Sequence, residues 1–314
     1  MVRRVMVVVA LVMGALIAGP TAVAGASPAA LTCPDGNVAM VVSADAVLTH
    51  DLSCSGSSVE WDLAPGVIVD LGGHRLTVES GGRCSVGYPG CTFEVGSGTL
   101  RNGRLEGVDV NVGDGHASRL GVRNGLAEVT RSGELTRSVI DGGQVVIERG
   151  GHLTHSWVIR GKGVLLLNID HSLTDFEVSN NLIVGNTGNG IQLGTHFYFA
   201  NDVTGTIAHN FVARNTANGI SIGGDLRDLG AVQITQNLVA ANAGTGIVVN
   251  GSLEVPGPTI TGGPVTLTKN VSVFNAGHGI DASWMPAWTN GVVDGGGNRS
   301  FANAVAPACV GVIC

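Results

Sequence analysis

The chain has 314 residues and a formal net charge of −7, with 13 % charged residues, 4 % aromatic residues and 49 glycines. That balance excludes nucleic acid as a partner, since such binding relies on a basic surface that displaces counterions. No segment carries apolar residues at helical spacing for more than two turns, so helices have little place outside the N-terminal leader.

The leader begins with Arg3 and Arg4, continues as an apolar run from Val5 to Ala18 and ends in Ala24-Gly25-Ala26. This is the form of a secretory signal peptide over 1–26, and its apolar run is shorter than the roughly 20 residues that span a bilayer. The expectation is an exported, extracellular chain of residues 27–314, with no membrane insertion once the leader is removed. Losing Arg3 and Arg4 takes the net charge from −7 to −9. An acidic polysaccharide is then repelled, unless a local basic patch or bridging calcium reverses the sign locally. Calcium is the one cofactor left open, and a monomer is expected.

Cys33, Cys54, Cys84, Cys91, Cys309 and Cys314 all lie beyond the leader. An even count in an exported chain argues for disulfides, although six cysteines allow 15 connectivities. The nearest-neighbour choice pairs Cys33 with Cys54, Cys84 with Cys91 and Cys309 with Cys314. The spacings match no familiar zinc pattern.

From Leu31 to Val78, short alternating apolar and polar runs are broken by Gly, Pro and Ser, as strands and turns are. The clearest run contains Asp70-Leu71-Gly72-Gly73-His74. A cysteine-bearing opening followed by this phrase resembles the start of secreted right-handed parallel β-helix repeat proteins of the pectin-lyase-like superfamily. The resemblance implies that Asp70 and His74 serve turns and stacking. From Gly98 to Leu167, short strands recur at a steady interval, as at Arg119-Leu120-Gly121-Val122, Ser138-Val139-Ile140-Asp141 and Ser156-Trp157-Val158-Ile159.

One phrase is then written again and again: Asn181, Asn186 and Gly190-Ile191; Asn210, Asn215 and Gly219-Ile220; Asn237, Asn242 and Gly246-Ile247; Asn270, Asn275 and Gly279-Ile280. A further copy starts at Asn298 and Asn303. Such a recurrence marks a stack of units, each of which buries its apolar face only against its neighbours. Period-two alternation assigns three inward-facing strands to each copy. In the first copy these contribute Phe176 and Val178, then Leu182 and Val184, then Ile191 and Leu193. Later copies put Phe211 and Ala213, Leu238 and Ala240, and Val271 and Val273 at the inward positions of the middle strand. Coils related by translation place each strand beside its own equivalent, so the sheets must be parallel. The right-handed sense follows from the preference of parallel crossovers and from the resemblance.

The fold class is therefore all-β: a single-stranded right-handed parallel β-helix, or solenoid, with three short parallel sheets and capped ends. Residues 27–97 form the N-terminal cap and first coils, 98–303 the coils, and 304–314 a C-terminal disulfide cap. About a dozen rungs are expected. Asn186, Asn215, Asn242 and Asn275 should form a hydrogen-bonded ladder at a corner whose unusual backbone angles Asn tolerates. The glycine before each closing strand is expected to adopt a positive φ.

Between copies lie variable segments, Gly194 to Thr204, Gly223 to Ala231, Asn250 to Pro264 and Ser283 to Val292, all following the Gly-Ile strand. Segments inserted at one corner of successive rungs must emerge side by side and can build a groove. Their contents include His196, Tyr198, Asp225, Arg227, Asp228, Trp284 and Trp288. Aromatic faces suit sugar C–H faces, while carboxylates and Arg227 can hold hydroxyls or a uronate. These residues, with Asp281 on the outward row and His278, are the candidate substrate-binding set. The alternative is that the segments fold back and bury their rings on the sheet.

Gly277-His278-Gly279 resembles a triplet of polygalacturonases, but the chain has no Asp-Asp pair and no Asn-Thr-Asp. His278 also occupies the repeat position of Asn189, Asn218 and Thr245, which favours a structural role. Arg214 and Arg227 could serve as a lyase base, yet no motif selects them, and the Asp-Pro-His-Asp phrase of alginate epimerases is missing. The catalytic residues are unknown, and the enzyme question stays open between polysaccharide lyase and glycoside hydrolase. The functional expectation is a secreted protein that binds an extracellular polysaccharide along one loop-lined edge, with cleavage open. The alternative is a non-catalytic exported scaffold or surface adhesin.

Overall fold

The computed structural model describes residues 28–34, 39–55, 59–79, 91–168, 173–195, 203–224, 229–251, 264–284 and 291–314. Residues 1–27, Cys84 and most residues of the inserts lie outside these. Among the described residues every strand pairing is parallel, and strands lie beside their equivalents one coil away, as at Ile191↔Ile220, Ile220↔Ile247 and Ile247↔Ile280, with register shifts in three of the later pairings. The chain is a parallel β-helix.

Three columns of strands enclose the core. One column is a separate twelve-stranded sheet, running from Met40–Val42 to Cys309–Val310 and giving the expected dozen rungs. The other two columns merge into a 21-stranded sheet because Thr99–Glu106 and His116–Arg123 run through the corner between them. Three sheets were expected; two long strands fuse two of them. The interior is one continuous apolar cluster in which Trp61 stacks on Phe93 at 5.4 Å. Gly205, inward like Phe176 one rung away, has no room for a side chain: a Cβ there would lie 2.4 Å from the Phe176 ring.

Both asparagine ladders form. Asn181, Asn210, Asn237, Asn270 and Asn298 make one, and Asn186, Asn215, Asn242, Asn275 and Asn303 the other. Each Oδ1 accepts the backbone N–H and the Nδ2 of the preceding rung, as Asn210 does from Asn181 at 3.0 and 3.1 Å. Each Nδ2 also donates to a carbonyl two rungs from its acceptor, as Asn210 does to Val178 at 2.8 Å. The first ladder continues through Ser156 and Ser138, whose hydroxyls take the same N–H bonds.

Three expectations need correction. First, the left-handed residue at each corner is the one before the asparagine: Asn180, His209, Gln236 and Lys269 have φ of 54 to 58°, and before the second ladder Arg214 has 54° and Ala241 53°. Second, that residue uses up one step of the alternation, so the middle strand turns its central residue inward. Ile183, Val212, Val239 and Ser272 are fully buried, whereas Phe211 and Leu238 are exposed. Third, Gly190, Gly219, Gly246 and Gly279 have no positive φ. They are glycine because the next rung leaves no space: a Cβ on Gly219 would stand 2.2 Å from Val239 Cγ1 and 2.6 Å from the Gly246 carbonyl oxygen.

At the N-terminal end, Cys33–Cys54 forms with S–S 2.08 Å. Cys91 is disulfide-bonded. Asp70 acts as a turn residue, accepting from the Gly72 N–H at 2.9 Å and from Arg101 Nε at 2.9 Å. Burial raises its pKa, but these bonds and those from Asn102 outweigh it and hold the carboxyl below its ordinary value. His74 lies 3.5 Å from Asp51. At the other end Cys309–Cys314 forms, and Cys309 pairs with Ile280 to cover the last rung.

Candidate functional site

Coil length varies along the chain. In the twelve-stranded sheet one early coil is long, with Trp61↔Phe93, and the coils after it are short, as the register pairs Thr92↔Asp109, Ala127↔Val145 and Val145↔Val164 show. From Val164 onward they lengthen, with Val164↔Ile191, Ile191↔Ile220, Ile220↔Ile247, Ile247↔Ile280 and Ile280↔Cys309. The extra residues follow Gly163–Asn168, Ile191–Thr195, Ile220–Gly224, Ile247–Gly251 and Ile280–Trp284, five strands that are successive neighbours in the sheet. All five inserts therefore leave from the same edge, as the repeat spacing required. The strands run on into the variable segments, so the inserts are shorter than the sequence implied.

His196, Tyr198, Asp225, Arg227, Asp228 and Trp288 lie on these inserts, outside the described residues. Trp284 ends a strand, its backbone in register with Asn250. Asp281 stands half-buried in the outward row of the same sheet, beside Val248 and beyond it Ser221 and Gln192. Its Oδ1 accepts the Ser283 N–H at 3.0 Å and the Ser283 hydroxyl at 2.6 Å, which fixes the carboxyl. His278 is at a corner of that rung with Nδ1 2.8 Å from the Pro307 carbonyl oxygen, so it bonds the terminal segment. Asn218 N–H donates to Asn189 Oδ1 and Thr245 N–H to Asn218 Oδ1, a third polar column in which His278 is the next member.

The same outward row, followed toward the N-terminus, holds a group that sequence reading missed. Asp62, Glu94, Asn111 and Glu128 are consecutive partners across four strands, with rungs about 4.8 Å apart. Glu60 and Asp109 stand in the neighbouring outward row. Burial pushes the Glu94 carboxyl up to about 7; an Asn111 hydrogen bond opposes this, and Glu60, Glu128 and Asp62 reinforce it. Burial also raises Glu128, aided by Asp109 and opposed by Arg149. The buried Asn111 Oδ1 has no hydrogen-bond partner. A carboxyl poised near neutrality beside an open acceptor can hold or release a proton at ordinary pH. No motif announces this group, because its members come one from each of four coils of unequal length. Among the described residues no cluster of three or more His, Cys, Asp or Glu side chains has a metal-holding arrangement.

No family model matches the chain, and no curated protein matches it by sequence. Solved structures resemble it at the level of backbone path. The A-module of the Azotobacter vinelandii mannuronan C-5 epimerase AlgE4 is 13 % identical, covers 87 % of this chain and 79 % of its own, and aligns with a TM-score of 0.32. The catalytic domain of a GH87 α-1,3-glucanase, solved with tetrasaccharides, is 12 % identical over 84 % of this chain and 63 % of its own, with a TM-score of 0.37. This chain thus spans less than two thirds of the glucanase domain.

Proposed function

We propose that the protein binds an extracellular polysaccharide laid along the outward face of the twelve-stranded sheet, beside the edge that carries the inserts. The carrying observation is that five successive strands send their inserts out at one edge. Rungs about 4.8 Å apart repeat side chains along the rod, which suits an extended polymer better than a compact ligand. Gln192, Ser221 and Asp281 offer hydrogen bonds on this face, Trp284 ends its strand at the rim, and Tyr198 and Trp288 belong to the inserts. A glycan array probed with residues 27–314 tests the reading. Binding to at least one glycan family, weakened by Asp281→Ala together with Gln192→Ala, is the expected outcome. No binding across uronans and neutral glycans would leave the scaffold alternative.

One observation favours a second reading, cleavage of the bound glycan: Glu94, its carboxyl pushed up to about 7 by burial, stands one rung from Asp62 and two from Glu128. Hydrolysis of a glycosidic bond needs one carboxyl to donate a proton and another to assist the attack. Reducing-end release, read beside ultraviolet detection of unsaturated uronates, tells hydrolysis from elimination. Glu94→Gln should abolish turnover and leave binding intact; turnover at the wild-type rate in that variant would remove Glu94 from any catalytic role.

A further inference from the structure

The wall built from the middle strands of the coils has a chemistry unlike the rest of the surface. Its first outward row runs Arg75, Arg104, Gly121, Val139 in register, and Gly121 has no side chain to fill the space between its neighbours. A cavity of about 500 Å³ opens there, lined by Arg75, Arg104, Arg119, Arg123 and Arg137. Two carboxylates share it, and both are engaged. Glu106 lies 3.7 Å from Arg75 and 3.9 Å from Arg123, and Asp141 accepts from Arg160 Nε at 2.8 Å. Among the described residues, no ion pair engages Arg104, Arg119 or Arg137. A chain of net charge −7 thus gathers five of its 17 basic side chains into one groove.

Beyond Val139 the same row becomes Trp157, Leu182, Phe211, Leu238 and Val271. Trp157 is 53 % exposed, Leu238 40 % and Phe211 38 %. The second outward row, Ile159, Val184, Ala213, Ala240 and Val273, is equally apolar, with Ala213 and Val273 buried and the others partly exposed. Apart from the indole N–H of Trp157, five rungs therefore present no hydrogen-bonding side chain on the strands. An apolar row that exposes Trp157, Phe211 and Leu238 in this way marks an interaction site.

Charge and polarity select its occupant. Sugar hydroxyls laid on the apolar rungs would lose water and gain almost no partners, which disfavours a glycan there. A second copy stacked in parallel would set arginines on arginines, and one stacked antiparallel would set them on Leu238 and Val271. An anionic lipid surface meets both halves, because phosphate headgroups suit arginines and the headgroup–acyl boundary accepts Trp, Phe and Leu.

We propose that this wall docks the protein on an anionic lipid bilayer, with Arg104, Arg119 and Arg137 on headgroup phosphates and the Trp157–Leu238 row at the acyl boundary. It is a different wall of the rod from the insert-bearing sheet, so the inference stands whether or not that sheet binds glycan.

Co-sedimentation of residues 27–314, which contain every described strand, with vesicles of phosphatidylcholine alone or mixed with phosphatidylglycerol tests it. We expect binding to the mixed vesicles only, weakening as salt is added. Arg104→Glu with Arg119→Glu should cut the partition about tenfold or more. Trp157→Ser with Phe211→Ser should cut it comparably, with the circular dichroism spectrum unchanged. The salt dependence of the unaltered chain reads the same contact without any variant. Failure to sediment with either vesicle, equal binding to both, or unchanged binding in both variants overturns the proposal. So does capture by a soluble sulfated or uronate polysaccharide with no vesicle binding.

Discussion

At the scale of single residues, buried amides and one carboxyl carry the specificity of the fold. Asn210 makes four side-chain hydrogen bonds inside the rod, and Asn210→Ala would leave the Asn181 N–H without a partner and take one donor from the Val178 carbonyl. We expect that variant to lose about 3–5 kcal/mol, read from its denaturation midpoint. Asn210→Ser should lose less, because Ser156 already fills the equivalent place, accepting the Ser138 N–H and donating to the Thr154 carbonyl. Glu94 gives a pH signature. Its folded carboxyl titrates near 7 against 4.5 unfolded, so the folded state holds the extra proton between those values, and stability falls as pH rises through them. The loss should be about 1–2 kcal/mol after allowing for solvent screening, and Glu94→Gln should flatten it when urea midpoints at pH 5 and pH 8 are compared. The ladder was legible because identical letters recur at one spacing. The facing of Phe211 and Leu238 was not, because the left-handed corner residue that shifts the alternation is chemically arbitrary: His209, Gln236 and Lys269 all fill it. Glu94 was equally hidden, since its perturbation comes from residues in other coils.

At the scale of the coil, tight approach between rungs rather than backbone angle explains the invariant Gly-Ile phrase. A Cβ on Gly246 would stand 1.9 Å from Ser272 Oγ and 2.5 Å from the Gly279 carbonyl oxygen, so Gly246→Ala must push one rung off the next. We expect a cost of about 3 kcal/mol or more. Gly185 provides the contrast. Its φ is 69° and nothing lies within 4 Å of where a methyl would sit, while Arg214, Ala241 and Phe274 adopt the same left-handed corner one, two and three coils later. Gly185→Asn should therefore cost no more than about 1 kcal/mol. Thermal denaturation of the two variants side by side checks both expectations; equal losses would contradict the packing explanation. Sequence alone identified the glycines and their period, but one letter cannot distinguish a residue that needs a rare angle from one that lacks room.

At the scale of the whole rod, each rung is stabilised by its neighbours, so the ends decide whether the stack frays or adds further strands. Residues 304–314 close one end. Cys309 and Val310 pair with Ile280 and Asp281, the Ala308 carbonyl accepts the Gly279 N–H at 2.9 Å, and Asp294 holds the Ile313 N–H at 2.9 Å. The rod itself was readable because its repeat is literal. The character of its walls was not, because each outward row draws one residue from every coil and coil length changes along the chain. Arg75, Arg104 and Arg119 have no visible relation until the register stacks Arg75 on Arg104 and the corner brings Arg119 to the same cavity. Deleting 304–314 uncovers the strand Ile280–Trp284 and the buried Ile280 beneath it. Hydrogen exchange should then lose protection in Ile280–Trp284 and Val271–Val273, whereas Val139–Asp141 and Gln144–Glu148 near the middle keep theirs. Sedimentation should show association that grows with concentration as the bared edge finds other copies. Uniform loss of protection along the rod would mean that the stack unfolds as one unit, with the nearest-neighbour description failing for this chain.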